Sequence, residues 1–509
     1  MPNNSPEQKN TLTDIAILCA IIVTGSVLII LGTWKYGVGL TGDSISYIAL
    51  AKNILKDFSF NDISGEPFVL WPPGYSLSLA FISYITSVDV YEILLPYNLV
   101  CYAVFVISAW VLIRKRLTEK LILYPAIGVL ALAPAVFRIF TYALADVVFL
   151  PLSLLFFIAL ERMEERKTTG SVIAVIAVSA LLPAVKYTGI IFLPFALLAI
   201  VKNFEGKKGT VLEWAAIAAG SLPLILVLGR NYYVSGTLTG YRGSSLFTLP
   251  ELLLQTGLTL GFWVFPVVAL LIIIAGWVAI GKGFFEIFRV RIKAENRFLA
   301  FTILYLVAVF AVAALQAVDE IDNRLLIPVF IPFFILSVTI AELTLKEVNK
   351  GFTKVVMIIL LLAVPAAYAR TDARSFTARI ESGTGSIRSD EFYSKFPKEI
   401  SKAGKMVQGA TLYSNNPAVL YYLTGWPSKS IPMLKHYNSN EISTPLEALG
   451  EYFKGSGRAF ILIMSGFMSY NHYTIEEIGR YNRITEEARG SGWVLFSVSP
   501  QKPAGDSND

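Results

Sequence analysis

The chain has 509 residues, of which 55% are apolar and only 16% charged, where ordinary soluble domains approach a quarter charged. A soluble globular protein of this length is thereby excluded, and the formal charge of +6 acquires meaning only from where the basic residues sit. Apolar runs of roughly 15 to 27 residues recur from Thr13 to Ala369, each able to cross or nearly cross a ~30 Å hydrocarbon core, and they stop after Arg370. The fold class expected is an α-helical polytopic membrane protein over 1–369 with a small soluble α/β domain over 370–509.

In chain order, crossings are predicted at 13–33, 92–113, 121–137, 145–160, 171–185, 188–201, 210–228, 254–280, 298–316, 325–345 and 355–369, eleven in all. The first follows the polar stretch Met1–Asn10 and reads as a membrane helix, being too long for a signal-peptide core and lacking a small-residue cleavage pattern. Cys19 and Cys101 both lie inside apolar runs and read as packing residues. The fifth and sixth crossings are short and carry Pro183 and Pro194, which predicts a broken hairpin with Lys186 at its tip. Tyr75–Ile85 is too short to cross and is expected to be interfacial or re-entrant.

Alternate connections, with Lys9, hold 19 of the 43 Lys and Arg residues, which makes them cytoplasmic. The opposite loops hold eight: Lys35, Lys52, Lys56, Arg138, Lys186, Arg230, Arg242 and Arg324. The expected localisation is therefore the plasma membrane, with the N-terminus cytoplasmic and the last domain extracytoplasmic.

The first outer loop, 34–91, carries the most chemistry. Ile45, Ile48, Leu55 and Phe58 fall at helical spacing with Lys52, Lys56 and Asp57 opposite, predicting an amphipathic helix along the interface. Asp43 stands at its start, where a carboxylate can cap the helix through Ser46 or act as a base on a hydroxyl arriving from outside. Glu66 and, at the start of the fourth crossing, Asp146 are further acidic candidates, and such carboxylates are the sequence's only suggestion of a divalent metal ion. Pro72 and Pro73 forbid helix, and Trp71 before them suits the headgroup level. Lys186, Arg230 and Arg324 lie at the outer ends of three crossings, where a charge needs water or a partner, so they are candidates for holding a lipid-carrier phosphate. Tyr232, Tyr241 and Arg242 offer aromatic faces and a donor in the loop between Arg230 and Leu249.

These residues resemble the polyprenyl-phosphate-sugar-dependent glycosyltransferases of the GT-C superfamily, such as the protein O-mannosyltransferases of glycosyltransferase family 39 and the lipid A aminoarabinose transferase. The likeness lies in Gly42-Asp43, Tyr47, Ala51 and Pro72-Pro73-Gly74-Tyr75. It extends more loosely through Arg138 to Asp146, Val185-Lys186-Tyr187-Thr188-Gly189, Arg230-Asn231-Tyr232 and Asp322-Asn323-Arg324-Leu325-Leu326-Ile327-Pro328. It implies that Asp43 is the catalytic base; Tyr47 joins Lys186, Arg230 and Arg324, placed by topology, as a candidate for donor binding. Ser44 stands where many relatives have a second acidic residue, and Trp71 where they have a lysine before the prolines. The implied activity is inverting transfer of a sugar from a polyprenyl-phosphate donor to a lipid, glycan or protein acceptor. The rival is a lipid or solute transporter, which would place polar groups near the midplane and often repeat its halves.

In the last domain, strands are expected over 409–416, ending in a turn, and at 458–464 and 493–498, and helices at 417–424, 443–453 and 475–489. His436 and His472 have no metal-binding spacing, and no nucleic-acid module occurs. The charge asymmetry predicts that a reporter enzyme active only outside the cytoplasm works when fused after residue 500 and fails when fused before residue 10; the reverse pattern would invert the topology.

Overall fold

The computed structural model describes residues 6–203, 211–318 apart from 264 and scattered positions between 282 and 295, 320–347, scattered positions between 355 and 385, and 392–500 apart from 437–438 and 468–470. Ten of the eleven predicted crossings have helical counterparts; the eleventh, 355–369, lies largely outside the described residues.

The chain runs through α1 (Pro6–Thr33), α2 (Gly42–Asp57), α3 (Gly74–Thr86), α4 (Val90–Arg114), α5 (Lys120–Leu132), α6 (Pro134–Phe140), α7 (Asp146–Arg166) and α8 (Thr169–Val185). A 3₁₀ turn at Tyr187–Ile191 leads to α9 (Phe192–Asn203), α10 (Val211–Ser235), α11 (Leu249–Phe262) and α12 (Phe265–Ile280), then α13 (Asn296–Leu315) and α14 (Asn323–Glu347). Among the described residues, five helices are long and apolar enough to cross a bilayer alone, and seven spans result if each of two bent pairs counts as one. This is a multi-pass membrane protein.

The bends have local causes. Pro134 opens α6 where α5 ends, and the two axes meet at 49°. The run 254–280, expected as one crossing, is two helices bent by 78°. At that corner Trp263 is wholly buried and its indole N–H donates to Asn323 Oδ1 at 2.7 Å, pinning the bend to the start of α14. As expected, α8 and the next helix break at Lys186, whose backbone is extended (φ −149°, ψ 131°).

Helix α2 departs from the amphipathic expectation. Its first turns are enclosed from Ser44 to Ala51, whereas Phe58, expected on the buried side, is 83% exposed and closes the helix in the left-handed region. The covering comes from α3, α4 and the C-terminal domain, which sequence periodicity alone does not contain.

That domain is a five-stranded mixed sheet of order β2-β1-β3-β5-β4, with β1 (Thr411–Ser414), β2 (Lys429–Ser430), β3 (Ala459–Met464), β4 (Asn482–Gly490) and β5 (Trp493–Pro500). The helix at Pro417–Thr424 ends on Gly425 as expected (φ 72°). The helix expected over 475–489 is only Ile475–Gly479, and the remainder is β4. Ser491-Gly492 closes a two-residue hairpin between Gly490 and Trp493, so β4 finds a ready antiparallel partner in β5.

The sheet domain rests on the first long loop. Lys429 Nζ lies 2.7 Å from Glu66, Ser428 N–H donates to the Ile63 carbonyl at 3.1 Å, and Tyr422 packs edge-on against Tyr91 at 5.6 Å.

Close approach of α3 to the end of α8 depends on a missing side chain: a Cβ on Gly74 would lie 2.4 Å from the Ala184 carbonyl oxygen, two residues before Lys186. Gly74→Val is expected to destabilise the protein by about 1–3 kcal/mol, read as a lower Tm in detergent. Gly42→Ala, with nothing within 4 Å of the added atom, should leave Tm nearly unchanged; equal effects would show that the α3–α8 contact is not tight.

Candidate active site

Two backbone crossings bring distant acidic residues together. Gly39 N–H donates to the Thr141 carbonyl (2.8 Å) and Ala143 N–H to the Gly39 carbonyl (3.0 Å), so the strand-like lead into α2 lies beside the lead into α7. Asn98 on α4 holds the second segment through the Phe140 and Tyr142 carbonyls, at 3.0 and 2.9 Å. Asp43 and Asp146 follow these paired segments in the first turns of their helices.

Neither is a helix cap. Thr41 caps α2, accepting from Ser44 N–H, and Ser44 Oγ accepts in return from Thr41 N–H at 3.0 Å. Ser44 thus completes a capping box, leaving the Asp43 carboxylate for other partners. Asp146 likewise makes no cap bond, and its side chain is wholly enclosed.

Both carboxylates converge on Arg324. Its Nη2 donates to Asp43 Oδ2 at 2.8 Å and its Nε to Asp146 Oδ2 at 3.2 Å. The other Asp146 oxygen accepts from Lys186 Nζ at 2.5 Å, and Lys186 also reaches the Arg324 carbonyl at 3.3 Å. The result is a neutral chain of four charges, Asp43–Arg324–Asp146–Lys186, drawn from α2, α14, α7 and the end of α8. The start of α14 is set by Asp322, whose carboxylate accepts from the N–H groups of Arg324 and Leu325, and by Asn323, which donates to the Ala135 carbonyl at 3.1 Å. Asp322 therefore caps the helix rather than neutralising the Arg324 guanidinium.

Tyr47, one turn after Asp43, is buried against Phe68, Trp71 and Tyr75, with ring centroids 6.3, 5.8 and 5.3 Å away. Burial pushes its phenol well above the usual range, and the nearby Asp43 charge adds to this. Trp71 belongs to this aromatic floor, packing on Tyr47 and on Phe68 at 5.9 Å.

Arg230, expected beside Lys186 and Arg324, is engaged elsewhere. It donates to the Phe68 carbonyl (2.6 Å) and the Phe60 carbonyl (2.9 Å) and lies over the Phe60 ring. Arg242 donates to the Leu70 carbonyl at 3.0 Å, and Tyr187 to the Val69 carbonyl at 3.0 Å. The reason is local: past the short pairing of 60–62 with 66–68, the Phe68, Val69 and Leu70 carbonyls run into Pro72-Pro73 and are met by side-chain donors. Tyr241 turns toward the C-terminal domain, where its hydroxyl donates to Glu441 and its ring lies 4.4 Å from that of His436. That bond and one from Ser244 N–H at 2.9 Å hold the Glu441 carboxyl below its usual range. Tyr232 is 62% exposed.

The acidic candidates for a metal do not gather. Glu66 pairs with Lys429, raising that ammonium's pKa, while Asp43 and Asp146 share Arg324. Among the described residues, no group of three or more His, Cys, Asp or Glu side chains is arranged to hold a metal ion. Carboxylates already accepting from a guanidinium and an ammonium do not fit a divalent cation.

The chain superposes on apo ArnT from Cupriavidus metallidurans with a TM-score of 0.56 at 12% identity, over 97% of this chain and 100% of that one. The chain has the GT-C fold. ArnT bound to undecaprenyl phosphate gives a TM-score of 0.55 at 12% identity, covering 96% of this chain and 99% of that one. The arabinofuranosyltransferase AftD from Mycobacteria gives 0.56 at 12% identity over 95% of this chain, which spans 40% of AftD. Residues 76–239 also match a family described as a domain of unknown function (DUF8201). No curated protein matches the sequence.

The four site residues differ in how deeply they sit, and substitution should show it. Asp146→Asn removes the central anion between two cations and is expected to cost about 3–5 kcal/mol, whereas Asp43→Asn, at the partly open end, should cost about 1 kcal/mol or less. Thermal unfolding in detergent checks the order; equal losses would mean that the network does not share one buried centre.

Proposed function

We propose that this protein is a membrane glycosyltransferase that moves a sugar from a polyprenyl-phosphate donor to a hydroxyl of a lipid, glycan or protein acceptor on the extracytoplasmic face. The observation that carries the reading is the convergence of Asp43 with Arg324 and Lys186 at one set of helix ends. The fold adds support, because ArnT shares it and has been captured with undecaprenyl phosphate, and the oligosaccharyltransferase AglB from Archaeoglobus fulgidus, with a TM-score of 0.50 at 12% identity, with a dolichol-phosphate.

In this mechanism Arg324 and Lys186 hold the carrier phosphate, with Asp146 behind them fixing both cations. Asp43 takes the proton of the acceptor hydroxyl as its oxygen attacks the anomeric carbon. The bond from that carbon to the phosphate oxygen breaks, its electron pair stays with the phosphate, and the configuration inverts. Negative charge grows on the leaving phosphate, so preorganised cations there contribute more than the base does. Tyr47 and Trp71 form an apolar wall beside Asp43 suited to a sugar face or the first isoprene units. Arg230 and Arg242 act at one remove, holding the loop that carries this wall.

Incubation of the purified protein with radiolabelled polyprenyl-phosphate sugars is expected to move label from lipid to acceptor. Asp43→Asn should lower that transfer by about 10²–10⁴-fold with the fold intact. Label carried across a vesicle membrane without leaving its lipid would identify a transporter and overturn the reading, and an unimpaired Asp43→Asn would remove the base.

A further inference from the structure

The charge balance of the four-residue network carries a consequence for the order of events. Asp146 has no side-chain exposure and is tied to both Lys186 and Arg324, so one of the two positive charges is met permanently by the protein. The other is met by Asp43, and this contact is the open one: the side chains are 29% exposed for Asp43 and 35% for Arg324. An anion reaching Arg324 arrives where the Asp43 carboxylate already sits.

A phosphate offers a guanidinium the same acceptor geometry as a carboxylate. Keeping both anions on Arg324 would place three negative charges around two positive ones in a largely desolvated site, which is costly. Departure of Asp43 carries little penalty for the helix, because Thr41 and Ser44 cap α2 without it. Resting on the carrier-phosphate reading above, we infer that Asp43 is a placeholder for the lipid phosphate: the donor displaces its carboxylate from Arg324, and the base is released only when the donor is seated. Donor binding would thus both supply the electrophile and free the Asp43 carboxylate to meet the acceptor hydroxyl, imposing a donor-first order.

The test is binding of undecaprenyl phosphate to the full-length protein in detergent micelles, followed by thermophoresis. Removing the competing carboxylate in Asp43→Asn and Asp43→Ala should tighten binding by on the order of tenfold, while Arg324→Gln should weaken it. Unchanged or weaker binding in both Asp43 variants, or no effect of Arg324→Gln, overturns the placeholder role while leaving a carrier site in place. Absence of binding by the wild-type protein overturns the carrier reading itself. Since a variant can fail to fold, the wild-type protein with undecaprenyl phosphate provides an independent arm by electron cryo-microscopy. The expected structure has phosphate oxygens on Arg324 and the Asp43 carboxylate beyond ~4 Å; an intact Asp43–Arg324 contact beside bound phosphate overturns the exchange.

Discussion

Arg324 stands between two carboxylates that reach it from segments 281 and 178 residues away in sequence. Its position constrains the surrounding fold, because four charges can be withdrawn from water together only if each meets its partner at hydrogen-bonding distance. That condition fixes the start of α14 against the ends of α7 and α8. The Gly39–Tyr142 pairing, the Asn98 bonds to two carbonyls and the Asn323 bond to Ala135 are parts of the same constraint.

A second layer shapes the space in front of these charges. The first long loop contains little regular structure between α2 and α3, and its conformation is set by side chains that donate to its carbonyls: Arg230, Tyr187 and Arg242. The short hairpin around Asp62–Glu66 offers Glu66 to Lys429, and the loop before α11 offers Tyr241 and Ser244 to Glu441. The sheet domain is therefore fastened to both loops that border the site, and its helix at 417–424 packs on α2. Its place over the loops makes it part of the site's enclosure rather than an appended module.

The opposite face of the bundle provides a contrast. There Arg116 pairs with Glu161 in a buried contact, Asp14 accepts from Lys120 and Tyr124, and Glu342 accepts the N–H groups of Thr118 and Glu119. These groups tie α1, α4, α5, α7 and α14 together near their basic ends. Their carboxylates are 5–7% exposed, whereas the Asp43 end of the first network stays open. At that end the exposed members are the cations Arg114, Lys120 and Lys346, whereas the open end of the first network carries a carboxylate, Asp43.

What the sequence determined by itself is everything that depends on local composition. The apolar runs give the helices, the Lys186 region gives a break, Gly425 ends a helix, and Asp43, Lys186 and Arg324 stand out as charges where charges are costly, whereas the break at Pro134 falls inside a run expected as one crossing. The α2 face and the strand over 482–490 were misjudged because their burial and pairing come from distant segments, although Ser491-Gly492 carried the hairpin signal. Only the tertiary structure decided which charge meets which: that Asp146 rather than Asp322 neutralises Arg324, that Arg230 serves loop carbonyls, and that Glu66 faces Lys429. The physical reason is that an ion pair is set by a few ångströms of space between helices, and spacing along a chain contains no such distance.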